Sequence, residues 1–279
     1  MSHYTVAVFT ENGDEKEVER LLAPYDENLV MERYICQTKQ QVIEEFRKNM
    51  FRYVQTTYAE YLKDPKAYVE SCKNEAHIKY VRDEFPKRLL FTDEECFKCA
   101  TEYENDVDED GNVWSTRNPN SKWDWYQIGG RWYGSLKLKP YSVGVSGEPS
   151  LIYFADGVEP NSGCDAAMVR CIDFDAMREE ILKDLEPYEE AMKDSFFKEE
   201  YMRKKYPSEE MYKRIKTAYS TYAVILPDGT WHAPGEMGWF GCSSEEPEDG
   251  SMWELNYYDR FIVPAIEKNW CITIVDCHI

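Results

Sequence analysis

The first hydrophobic run, YTVAVF at 4–9, is β-branched and aromatic and predicts a strand. Val18, Leu21 and Leu22 then recur at helical spacing until Pro24 stops the helix. LVMERYIC at 29–36 predicts a second strand. Thr38 followed three residues later by Gln41 is a capping box. Behind it Val42, Ile43, Phe46, Met50, Tyr53, Val54, Tyr58 and Leu62 fall every three or four positions, the pattern of a long amphipathic helix. Pro65 suits the first turn of another helix, predicted to run to about Phe85 with Pro86 as its breaker. Thr92 and Glu95 repeat the capping box before a short helix to about Tyr103.

From 105 to 163 the pattern shifts to aromatic runs separated by Asp, Gly, Asn, Pro and Ser, as in hairpins and irregular strands. Strands are predicted at 112–116, 123–128, 131–138 and 150–155. A second helical block spans about 174–204, and Ser208 caps a shorter helix to about 217. TYAVIL at 221–226 predicts a strand ending in the turn Pro227-Asp228-Gly229. A last helix is predicted at 252–262 and a closing strand, CITIVDC, at 271–277. This order predicts an α+β fold: a mixed or antiparallel sheet with long amphipathic helices, an N-terminal β-α-β, a helical block, central hairpins and a C-terminal strand. No repeat and no clear linker interrupts it, so 1–279 reads as one domain. The change of texture offers a subdivision into 1–104 and 105–279.

Composition narrows the function classes. The 279 residues carry 33 Lys+Arg against 53 Asp+Glu, a formal charge of 33 − 53 = −20. Affinity for a phosphate backbone is mostly cationic neutralisation, so direct nucleic-acid binding is excluded, as is adhesion to anionic membranes. A basic protein partner suits such a charge. Aromatics at 15% separate the chain from disordered acidic sequences. The N-terminus has no basic segment followed by a long apolar one, no stretch approaches a membrane span, and nine cysteines form an odd, scattered set. A cytoplasmic protein with reduced thiols and no cofactor is the expectation.

The densest chemistry lies in Lys122-Trp123-Asp124-Trp125-Tyr126-Gln127-Ile128-Gly129-Gly130-Arg131-Trp132-Tyr133-Gly134. Gly129 and Gly130 permit positive φ and a close approach, the aromatic rings offer stacking faces, and Arg131 can grip an anion or pair with Asp124. Two readings follow: a binding site made of Trp123, Asp124, Trp125, Tyr126, Gly129, Gly130, Arg131 and Trp132, or a hairpin whose Gly-Gly turn joins two core strands. In the second aromatic-glycine stretch, 231–242, His232 and Glu236 are the candidate general base and its orienting acid. Asp106, Asp108 and Asp110, followed by Gly111, match the opening of a calcium loop, although Arg117 stands where its bidentate Glu belongs. In a chain this acidic a solvated Asp-Gly turn is the favoured reading, with the calcium loop as its alternative. Cys96 and Cys99 form a C-x-x-C; zinc would need two more ligands, for which Cys271, Cys277 and His278 are the obvious second cluster, whereas the i, i+3 spacing on a helix fits half-buried core thiols equally well. No Walker A loop, nucleophile elbow or H-E-x-x-H is present, which lowers the expectation of an enzyme.

At 122–134, at Gly235–Gly241 and at Val275-Asp276-Cys277-His278-Ile279 the chain resembles a family of uncharacterised phage and prophage proteins of Firmicutes. The resemblance extends along most of the chain, including Leu22-Ala23-Pro24-Tyr25-Asp26-Glu27. It implies a phage accessory protein in the host bacterial cytosol that counters host defence or redirects host metabolism. The leading expectation is a non-enzymatic inhibitor that binds a basic, nucleic-acid-handling host protein through an acidic, aromatic surface. The alternative is a protein that binds or hydrolyses a nucleotide-like small molecule in a Trp123–Trp132 cleft, with His232 and Glu236 as acid–base groups.

Overall fold

A computed structural model describes residues 2–104, 106–150, 163–193, 199–238 and 242–279. The fold is α+β with a mixed sheet. The strands are β1 (His3–Thr10), β2 (Tyr34–Gln37), β3 (Val113–Ser115), β4 (Trp125–Gly130), β5 (Gly144–Val145), β6 (Glu148–Pro149), β7 (Ala166–Met168), β8 (Ala223–Ile225), β9 (Trp231–His232) and β10 (Cys271–His278). By contact the chain divides into two compact units, Met1–Leu29 with Asn118–Ile279, and Val30–Arg117. The texture boundary near 104–105 thus falls inside the smaller unit.

The larger unit is organised by β10. CITIVDCH is buried at its six inner positions, because strands flank it on both edges and side chains cover both faces. It pairs antiparallel with β1 along its whole length, from His3 opposite His278 to Thr10 opposite Cys271. Its other edge is shared. β7 lies against Cys271–Thr273, and β4 against Val275–His278. β8 runs parallel to β1 and carries β9, while β5 lies outside β7 and β6 beside Gly129–Gly130.

Period-two alternation sorts the central strands into two cores. Tyr4, Val6, Val8, Val275 and Cys277 face the helix α1 (Glu15–Leu22), where Val18, Leu21 and Leu22 are buried with Trp123. Ala7, Phe9, Ile272 and Ile274 face the opposite way, against Tyr257, Phe261, Ile262 and Ala265. On that second face the alternation continues to His3, Thr5, Asp276 and His278, so one apolar face ends in a polar row.

The smaller unit holds β2 paired with β3, and helices that follow the capping signals. Thr38 and Gln41 exchange both bonds of the box and open α2 (Lys39–Tyr53), which continues through a wider turn at 54–58 into Ala59–Lys63. Thr92 and Glu95 do the same for α3 (Asp93–Ala100). The sequence departs from the structure between them. The helix begun at Pro65 ends at Ser71, a new one is capped by Asn74, and Pro86 opens the short turn Phe85–Arg88 instead of closing a helix. An N-terminal proline needs no N–H partner, so its position is compatible with both roles. In the larger unit, 131–138 is not a strand. Residues 131–134 turn, and only Leu136 and Leu138 make isolated bridges, to Cys164 and Ile172. Of the expected strand 150–155, residues 151–155 lie outside the described residues, as do 194–198 of the second helical block.

Candidate functional site

The Lys122–Gly134 stretch is mostly framework. Trp123 is buried at 6% exposure, its Nε1 donates to the Leu22 carbonyl (3.3 Å), and its ring meets Tyr126 edge-on at 5.0 Å. Tyr126 and Ile128 pack on the α1 side of the sheet, and Trp132 packs against the opposite core. Trp125 alone among these tryptophans stays open, at 48% exposure. The Gly129–Gly130 pair does not close a hairpin; it lets the chain leave β4 over two buried carboxylates. Gly129 has φ +82° and Gly130 φ +54°. A Cβ on the first would sit 2.9 Å from Oδ2 of Asp165, and on the second 2.5 Å from Oδ2 of Asp276.

Those two carboxylates, which sequence reasoning did not single out as a pair, hold the backbone of the motif. Asp165 is fully buried and accepts from the N–H groups of Gly134 and Gly147, each at 2.7 Å. Burial pushes its pKa up, against the two backbone bonds that pull it down. Asp276, also fully buried, accepts from the Arg131 N–H (2.9 Å) with one oxygen and meets Nδ1 of His3 (2.8 Å) with the other. Asp124 does not bridge to Arg131 across a hairpin. Its Oδ1 meets Nδ1 of His278 at 2.6 Å.

Two His–Asp pairs therefore stand side by side. The rings of His3 and His278 lie 4.9 Å apart on adjoining strands, and Trp125 is edge-on to both at 6.2 and 6.5 Å. The signal was present in the sequence as polar residues alternating within apolar strands, His3 and Thr5 at one end of the chain and Asp276 and His278 at the other. Nothing local indicated that the two strands adjoin.

Among the described residues of the larger unit, two clefts bear on these motifs. One, of about 750 Å³, lies where β4 and β7 part along β10; Glu15 and Val18 of α1, Tyr126 and Ile128 of β4, and Gly147 and Glu148 line it. Burial first, and then the carboxylates of Glu19 and Glu15, push the Tyr126 phenol up. The other, of about 510 Å³, lies between Tyr25, Lys122, Trp231 and Glu236. Here, among the described residues, the two aromatic-glycine stretches meet through Lys122 and Glu236 (2.6 Å). His232 and Glu236 do not form an acid–base pair. Glu236 is held by Lys122, while His232 lies 3.2 Å from Nη2 of Arg260 and beside the Phe261 ring. Burial, and after it Arg260, lowers the His232 pKa.

No family model, curated protein or solved structure matches the chain. Function therefore has to be argued from its own residues.

The remaining candidates resolve into structural roles. Arg33 takes both oxygens of Asp106 (2.6 and 2.9 Å). Asp108 accepts from Trp114 Nε1 (2.8 Å), from Asn112 N and Nδ2, and from the Asp110 N–H, closing an Asx-type turn. These bonds, Trp114 first, pull the Asp108 pKa down to about 2. A depressed carboxylate pKa supplies stability above its unfolded value of about 4 and loses it as pH falls through the folded value. Acid titration of the folded wild type should accordingly move the Trp114 indole N–H resonance with a midpoint near pH 2. Asp108→Asn should abolish that movement.

Cys96 and Cys99 lie on α3, the first buried. Cys271 and Cys277 stand six residues apart on β10, about 20 Å at strand rise, with His278 pointing to the other face. That second cluster cannot close on one ion. Among the described residues no three His, Cys, Asp or Glu side chains converge on a metal position, and no helix is long and apolar enough to cross a membrane.

Proposed function

We propose that the chain is a non-catalytic binding protein that captures a basic segment of a partner protein in the 750 Å³ cleft beside β4. In the phage setting that the family resemblance implies, the partner is a host defence protein and capture inhibits it. One observation carries this reading: Glu15 and Glu148 line the cleft, and among the described residues none of its lining side chains is Lys, Arg or His. A nucleotide phosphate entering there would meet carboxylates and no cation, whereas a lysine or arginine side chain would meet complementary charge. The chain's −20 adds a long-range field that speeds encounter with a basic surface. Val145, exposed at the cleft rim, and the Tyr126 and Ile128 side chains of its lining supply the apolar contact that charge alone lacks.

The nucleotide-binding alternative has less support. Arg131, its phosphate grip, lines neither cleft, and Lys122 in the 510 Å³ cleft is neutralised by Glu236.

The test is a salt-dependent binding assay. Pull-down from host lysate, followed by titration of the captured protein, should give binding that weakens with ionic strength. The double variant Glu15→Gln/Glu148→Gln should bind at least about tenfold more weakly, about 1.4 kcal/mol, at an unchanged melting temperature. Equal binding by wild type and double variant would remove the cleft from the reading. A thermal shift by nucleotides and not by basic peptides would favour the alternative.

A further inference from the structure

The His3–His278 pair is distinct from the acidic cleft and has no role in that reading. Each Nδ1 is held by a carboxylate, His3 by Asp276 at 2.8 Å and His278 by Asp124 at 2.6 Å. A carboxylate oxygen accepts, so each Nδ1 carries the hydrogen, and in the neutral ring it is Nε2 that holds the lone pair. Neither Nε2 has a hydrogen-bond partner among the described residues. Both side chains retain some access to solvent, 16% for His3 and 14% for His278.

A ring whose far nitrogen is fixed by a carboxylate is the arrangement in which histidine ligates metals, because the carboxylate sets the tautomer and raises the basicity of the ligating atom. Here two such rings occur together on paired strands, with centroids 4.9 Å apart. An ion about 2.1 Å from each Nε2 would place two ring centres about 5 Å apart at an ordinary ligand–metal–ligand angle. The spacing matches.

We propose that His3 and His278 form a two-imidazole site for a divalent transition-metal ion. Asp276 and Asp124 act as positioning residues, and the half-exposed Trp125 stands at the mouth. Imidazole nitrogens without thiolate select zinc, nickel or copper over calcium and magnesium. With two protein ligands, the remaining coordination positions are filled by water or by a group of a bound partner.

The chain has only four histidines, so imidazole nitrogen NMR of the intact protein reads the site directly. Zn²⁺ added to the wild type should shift the Nε2 resonances of His3 and His278 together, saturating at one ion per chain, with His77 and His232 unmoved. Ca²⁺ and Mg²⁺ should move neither ring. Asp124→Asn should weaken zinc binding by about 10–100-fold while leaving both rings responsive. His278→Gln should abolish the shift of His3. Zinc taken up only by the cysteines, with both imidazoles silent, would overturn the proposal, as would independent shifts of the two rings. The wild-type titration decides the matter even if a variant fails to fold.

Discussion

Replacing Asp165 with alanine is expected to destabilise the larger unit by about 2–5 kcal/mol, since each buried N–H left without an acceptor costs about 1–3 kcal/mol. Two groups depend on this one side chain, the buried N–H of Gly134 and the part-buried N–H of Gly147. Between them they pin the turn that follows β4 and the loop that lines the larger cleft. A fall in melting temperature of roughly 10 °C is the corresponding scale. Asp165→Asn should lose less, because its amide oxygen can keep one donor while its NH₂ faces the other. The pH dependence has a definite sign. Burial raises the Asp165 pKa, so between the unfolded and folded values the native state binds the extra proton. Its contribution to stability therefore falls as pH rises through that window and is constant above it. Thermal melts across the acid range should show that component in the wild type and not in Asp165→Asn. Identical melts for wild type and Asp165→Ala would mean that the carboxylate is not the clamp.

Gly130→Ala is expected to cost about 3 kcal/mol. Left-handed backbone costs an L-residue about 1–2 kcal/mol, and overpacking adds about 1–3 kcal/mol. Gly130 has φ +54°, and a Cβ there would lie 2.5 Å from Oδ2 of Asp276 and closer still to its Cβ. That Cβ is fixed to the central strand, which has paired neighbours on both edges and cannot retreat. Gly229→Ala is the internal control. Its φ is +88°, but no atom lies within 4 Å of the added carbon, so only the backbone cost of about 1–2 kcal/mol should appear. Chemical denaturation of the two variants separates steric from conformational effects. Equal losses would show that packing over Asp276 contributes little.

The Gly-Gly pair illustrates how far the primary structure can be read. Its positive φ was legible, because glycine next to glycine between apolar runs has few other uses. What it faces was not legible. Asp165 and Asp276 lie far along the chain, and no local pattern marks a carboxylate that will be buried beneath a turn. The same limit applies to 131–138. Trp132, Leu136 and Leu138 at even positions satisfy strand periodicity, but among the described residues no neighbouring strand offers a continuous ladder, and the segment turns and makes two isolated bridges.

The sequence by itself determined what depends on neighbours within a few residues. The capping boxes at Thr38 and Thr92, the apolar stripe of α1, the turn at Asp228-Gly229 and the strand character of both chain ends each follow from spacing and side-chain chemistry. Tertiary structure alone decided the pairing. It set the C-terminal strand between β1 and β4, and so brought His3 to Asp276, 273 positions away, and His278 to Asp124, 154 positions away. It also buried Trp123 and left Trp125 open, though the two differ by two positions in one motif. The physical reason is that periodicity is a local property, whereas strand order and register are selected by the whole chain. They are the arrangement that covers both faces of β10 and gives its buried N–H and C=O groups partners on both edges.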